Sequence, residues 1–141
     1  MDRRLLIERK IALVRENLAR LGDLAKLDRQ TFVSDFTKID SAEHRLQTSI
    51  QALIDLGAIV AADRGIPPRS RSTELVEALH DAGVFPADRR DTYVKMTRFR
   101  NVLVHRYNHV DVDRVYEVLK THRRDIETFL DDLVRALAPG P

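Results

Sequence analysis

The sequence predicts an all-α protein, an up-and-down bundle of about five helices with roughly two or three long ones carrying the core. Three observations lead there. Apolar residues recur at spacings of three and four over most of the chain, and no useful stretch alternates apolar with polar residues as a half-buried strand would. The five glycines and five prolines gather at a few breaks. A chain of 141 residues, 43% apolar and 33% charged, has a globular balance and enough length to bury a core. Residues 1–138 read as a single domain and residues 139–141, Pro-Gly-Pro, as a disordered tail.

The first helix is marked by Ile7, Ile11, Val14, Leu18, Leu21 and Ala25, with Glu8, Arg9, Arg15, Glu16 and Arg20 between them. It runs from about Arg3 to Lys26. The second segment opens near Asp28 with Phe32, Val33 and Phe36 and continues through Ile39, Leu46, Ile50, Leu53, Ile54 and Val60. Asp40 stands three residues before Glu43, a capping-box spacing, so a short first piece, a break or kink, and a long helix to about Ala62 are expected. Asp63-Arg64-Gly65-Ile66-Pro67-Pro68 stops it. Ser72 or Thr73 caps a third helix over Thr73–Ala82, and Gly83 ends it. Pro86-Ala87-Asp88 starts a fourth, carrying Tyr93, Met96, Phe99 and Leu103 and ending between Val104 and Tyr107. After a turn over residues 108–111, with Asp111 as N-cap, a fifth presents Val115, Leu119, Ile126, Phe129, Leu133 and Leu137.

Composition excludes several classes of function. With no cysteine there are no disulfides and no thiolate metal sites, which fits a reducing compartment. The first residues lack the apolar core of a secretory signal, and no apolar run approaches a membrane span, so a cytoplasmic protein without membrane contact is expected. A formal charge of +2 does not by itself announce nucleic-acid binding, so any such role rests on local basic groups. His44, His80, His109 and His122 make no metal-ligand pattern; His105 and His109 are four apart but straddle the expected turn. Arg64, Arg69 and Arg71 flank Pro67-Pro68 in a basic loop, which reads as a solvated connector or a phosphate contact. Glu43 and Asp55 read as solvated positions on the long helix, one of which could instead face the fourth helix and orient His105.

The densest chemistry lies in Met96-Thr97-Arg98-Phe99-Arg100-Asn101-Val102-Leu103-Val104-His105-Arg106-Tyr107. A guanidinium can bind a phosphodiester, an imidazole can move a proton near neutral pH, and a phenol can be modified. Asn101 and His105 are four apart and share a helix face, whereas Arg100 and His105 lie about 140° apart at 100° per residue. They converge on one phosphate only if the helix loosens near His105, if the Arg side chain wraps, or if a second protomer closes the site. Two cations near a helix C-terminus are equally compatible with a plain solvated helix end. Arg98 and Arg106, beside these groups, are candidate contacts to a phosphate backbone, as are Arg89 and Arg90.

The string from Phe99 to Tyr107 resembles the signature of the HEPN superfamily, and more narrowly the HepT toxins that pair with minimal nucleotidyltransferases: Arg-Asn, three mostly apolar residues, His, one residue, Tyr. The likeness extends to the helix order, Leu46-Gln47, Ile54-Asp55-Leu56-Gly57, Gly83-Val84 and Tyr107-Asn108-His109-Val110-Asp111. It implies a homodimer whose motifs face each other, acting as a metal-independent endoribonuclease without cofactor, the toxin of a type VII toxin–antitoxin system. Carried over residue by residue, Arg100, Asn101 and His105 form the catalytic set. Tyr107 is the residue that a cognate minimal nucleotidyltransferase antitoxin would adenylylate. The alternative is a noncatalytic accessory subunit of a small nucleotidyltransferase, using the same groups to bind nucleotide or partner.

Overall fold

The computed structural model describes residues 2–105 and 111–137. Among these residues there are seven α-helices and no strand: α1 Arg3–Ala25, α2 Arg29–Val33, α3 Phe36–Asp63, α4 Ser72–Asp81, α5 Arg90–Val104, α6 Val112–Thr121 and α7 Arg123–Leu137, with a 3₁₀ turn over Ala87–Arg89 leading into α5. The all-α bundle is as expected, and the count exceeds five because two predicted segments are each broken in two.

The first break separates α2 from α3. It falls at Ser34–Asp35, before the expected Asp40 cap. Asp35 is extended (φ −125°, ψ 102°), and its carboxylate accepts from the Thr37 backbone N–H at 3.0 Å and the Thr37 hydroxyl at 2.6 Å. Asp28 caps α2 in the same way, accepting from Thr31 N–H at 2.8 Å. Asp40 and Glu43 therefore lie inside α3. Glu43 is buried rather than solvated, because it falls on the stripe that continues through Leu46, Ile50, Leu53 and Gly57. Asp55 pairs with Lys10 of α1 at 2.9 Å.

The second break divides the predicted last helix at His122 (φ −115°, ψ 5°). Side chains take the last carbonyls of α6: the Thr121 hydroxyl donates to Glu117 O at 2.7 Å and Arg123 Nε to Leu119 O at 2.8 Å. The bend lets α6 reach α2 and the end of α1. Tyr116 donates to Leu27 O at 2.9 Å and its ring lies 5.4 Å from that of Phe32, while Lys120 donates to Ala25 O at 2.8 Å. Meanwhile α7 packs on α1 and α3.

The stops of α3 and α4 are of one kind. After α3, Gly65 (φ 71°) donates to Ala62 O and Ile66 to Ala61 O; after α4, Gly83 (φ 77°) donates to His80 O and Val84 to Leu79 O. Both are paired six-to-one and five-to-two closures in which only glycine takes the left-handed position without strain.

Helix α3 is the axis of the bundle and touches all six other α-helices. At Gly57 it meets α4 closely: a β-carbon there would lie 3.1 Å from Leu79 Cδ1. Polar groups also bind the layers. Buried Asn17 of α1 donates to Thr48 Oγ1 and Ser49 Oγ of α3, each at 2.9 Å, and accepts from Arg45 at 3.1 Å.

One buried cluster fixes the first half of α5. Asp132 of α7, 2% exposed, accepts from the Tyr93 hydroxyl at 2.5 Å, Arg89 at 2.6 Å and Arg135 at 2.7 Å. The Tyr93 ring stacks on Phe129 at 3.9 Å, with Phe85 edge-on at 4.8 Å. Burial first, and the Asp132 carboxylate second, push the Tyr93 phenol well above its usual range, so it remains a neutral donor. Among the described residues, no helix is long and apolar enough to cross a membrane.

Candidate active site

The motif occupies the last turn and a half of α5. Tyr93, Val94, Met96, Thr97, Phe99 and Leu103 are buried and seat the helix on the core. Beyond Phe99, Leu103 is the one buried residue of the helix, and Asn101, Val102 and Val104 are exposed. The helix ends at Val104. His105 is its C-cap with non-helical backbone (φ −97°, ψ 61°), its N–H donating to Asn101 O at 3.0 Å. Of the three conditions under which Arg100 and His105 could converge, a helix that loosens near the histidine is met within the chain.

Arg98, Asn101 and His105 are all exposed, and their spacing of three and four sets them along one stripe. Arg100 lies off that stripe, turned toward α4. Its Nη2 donates to the Ser72 hydroxyl at 3.2 Å, and its Nε is buried without an acceptor. A buried donor in that condition costs about 1–3 kcal/mol, which marks Arg100 as held in place against a local penalty. The expectation that Ser72 or Thr73 caps α4 is corrected here. The cap position is Arg71, with no side-chain cap bond, and the Ser72 hydroxyl serves Arg100 instead. No sequence pattern links two residues 28 apart in this way.

Next to the stripe, α5, α6 and α7 enclose a cleft of about 540 Å³ with Met96, Phe99 and Ile126 in its lining. Arg114 covers the Phe99 ring at 5.4 Å. Asp111, Asp113, Glu117 and Asp125 also line this cleft, together with Lys95 and Arg114. Asp111 caps α6 as expected, accepting from Asp113 N–H at 3.0 Å. Among the described residues, no group of three His, Asp or Glu stands together as a metal site. Arg90 is engaged by Glu77 at 2.7 Å and Arg89 by Asp132. Arg106, Tyr107 and His109 lie outside the described residues, as does the 139–141 tail.

Residues 14–133 match the family described as ribonuclease HepT-like. A curated relative, the mRNA nuclease HepT of Shewanella oneidensis, is 31% identical over 128 residues, covering 89% of this chain and 94% of the relative. Among solved structures, a tri-AMPylated HEPN toxin of Shewanella oneidensis in complex with MNT antitoxin superposes with a TM-score of 0.83 at 27% identity, over 96% of this chain and 99% of that one. A toxin–antitoxin structure with AMP-PNP superposes with a TM-score of 0.82 at 27% identity, over 93% and 98% of the two chains. On sequence and on fold alike, the chain belongs to the HepT-like ribonuclease family.

Proposed function

We propose that this chain is the toxin of a type VII toxin–antitoxin pair, a metal-independent endoribonuclease that works as a homodimer and is silenced by adenylylation of Tyr107. The observation that carries the reading is the end of α5. The helix stops at Val104 and leaves Arg98, Asn101 and His105 exposed along one edge, with Arg100 off that edge and tied to Ser72 of α4.

RNA brings its own nucleophile. The 2′-oxygen attacks the adjacent phosphorus, the bond to the 5′-oxygen breaks, and the products are a 2′,3′-cyclic phosphate and a 5′-hydroxyl. His105 takes the 2′-hydroxyl proton or returns one to the leaving oxygen, and the two protomers divide these roles. Arg100 binds the scissile phosphate and offsets the charge that builds on its oxygens. Asn101 orients the imidazole or the phosphate, and Arg98 and Arg106 hold the flanking backbone. The exposed apolar side chains of Val102 (49%) and Val104 (41%) beside the motif support a second protomer covering this edge.

The cognate nucleotidyltransferase would move AMP from ATP to the Tyr107 phenol, releasing pyrophosphate. Each adenylate places negative charge two residues from His105, where it competes with RNA for Arg100. The test is cleavage of single-stranded RNA by purified protein in excess EDTA. Cyclic phosphate and 5′-hydroxyl ends are expected, with activity lost in His105→Ala. A 3′-hydroxyl product, or a requirement for Mg²⁺, overturns the mechanism. Mass spectrometry after co-expression with the neighbouring nucleotidyltransferase should find adenylate on Tyr107; an unmodified tyrosine refutes the regulation.

A further inference from the structure

We propose that Ser72 is a positioning residue for Arg100, holding its guanidinium for the scissile phosphate from the first turn of α4. The proposal rests on the nuclease reading of Arg100 given above.

An arginine has five N–H donors in a rigid plane. In Arg100, Nε is sunk among side chains with no acceptor, and one Nη2 hydrogen goes to Ser72 Oγ at 3.2 Å. Two points of hold, one steric and one hydrogen-bonded, fix the orientation of the plane. Three N–H groups remain, two on Nη1 and one on Nη2, for two phosphate oxygens. Ser72 is the first residue of α4, half-buried, and its hydroxyl does no capping for its own helix. The side chain is therefore free to act on α5, and α4 becomes a part of the site that the motif does not announce. A hydroxyl matters here because a neutral acceptor orients the guanidinium without neutralising it. A carboxylate at the same place would compete with the phosphate.

The experiment compares Ser72→Ala, Ser72→Thr, Arg100→Ala and the double variant Ser72→Ala/Arg100→Ala in the full-length dimer, with a 5′-labelled single-stranded RNA oligomer as probe. Ser72→Ala should lower kcat roughly 10-fold with KM little changed, in keeping with a misplaced transition-state contact. Ser72→Thr should restore the rate, and Ser72→Ala should add nothing in the Arg100→Ala background. Rotation of the Arg100 guanidinium about its Nε–Cζ bond, followed by ¹⁵N NMR, should quicken in Ser72→Ala and return to the wild-type rate in Ser72→Thr. An equal rate loss in both backgrounds, or unchanged guanidinium rotation in Ser72→Ala, overturns the proposal. If the wild type cleaves no RNA, the nuclease reading falls, and the NMR comparison alone decides whether Ser72 holds Arg100.

Discussion

Replacing Asp132 by Leu removes one carboxylate and strands one phenol. Tyr93, Arg89 and Arg135 all donate to Asp132, but their situations differ. The side chain of Arg135 is 68% exposed and that of Arg89 37% exposed, so both turn to water when the acceptor goes. Tyr93 is 1% exposed and stacked on Phe129, so its hydroxyl has nowhere to turn. An orphaned buried donor costs about 1–3 kcal/mol, and the lost charge-assisted bonds bring Asp132→Leu to about 3 kcal/mol. Tyr93→Phe leaves the carboxylate with both arginines and should cost only about 1 kcal/mol. In the double variant no group is stranded, so its cost should fall short of the sum by at least about 1 kcal/mol. Urea unfolding at one fixed protein concentration reads all three, the fixed concentration removing any contribution from self-association. Additive costs, or a Tyr93→Phe loss as large as that of Asp132→Leu, would refute the assignment of the penalty to the tyrosine.

Other expectations follow from the same geometry. Gly57→Val should destabilise by about 2 kcal/mol in urea unfolding, since even a β-carbon lies 3.1 Å from fully buried Leu79 and the extra methyls overpack the α3–α4 contact. Gly83→Ala should lower stability by about 1 kcal/mol through its positive φ, with open space around it ruling out a clash as the cause. The Asp28 and Asp35 carboxylates are held below the ordinary 3.8 by the hydrogen bonds they accept from Thr31 and Thr37. A depressed folded pKa gives stability that is present above 3.8 and lost as pH falls through the lower folded value. Carbon-13 titration of both carboxyls should therefore show midpoints below 3.8, and Asp28→Asn with Asp35→Asn should flatten the acid limb of unfolding. Arg98→Gln should weaken RNA binding alike for all sequences and reduce the salt slope by about 0.7, one backbone contact to a single strand.

Where each helix lies could be read from periodicity, because a stripe at steps of three and four has one structural meaning. The breaks were harder. Val115, Leu119 and Ile126 keep helical phase across His122, so a straight helix and a bent pair write the same pattern; side-chain bonds from Thr121 and Arg123 decide between them. Asp40 and Glu43 imitate a capping box, yet the chain had already started its helix at Asp35, where the N–H of Thr37 found its acceptor. The stops at Gly65 and Gly83 were legible because positive φ has almost a single residue type as its signature. In the site, the motif residues and the helix end beside His105 were visible in the sequence. The hold on Arg100 was not, since it depends on which way α4 is turned, and that is set by the packing of Leu75 and Leu79 over Gly57.

The holds along α5 act as a splint for its last turn. Tyr93 is bonded and stacked into α7, Phe99 and Leu103 are buried against the core, and Arg100 is tied to α4. His105, the proposed catalytic residue, stands about 18 Å along the axis from Tyr93 at 1.5 Å per residue. Over that length a play of about 5° would move the far end by about 1.5 Å, more than the ~1 Å misplacement that can reduce a rate 100-fold. Slackening these buried holds should therefore blunt the proposed cleavage well before the bundle unfolds.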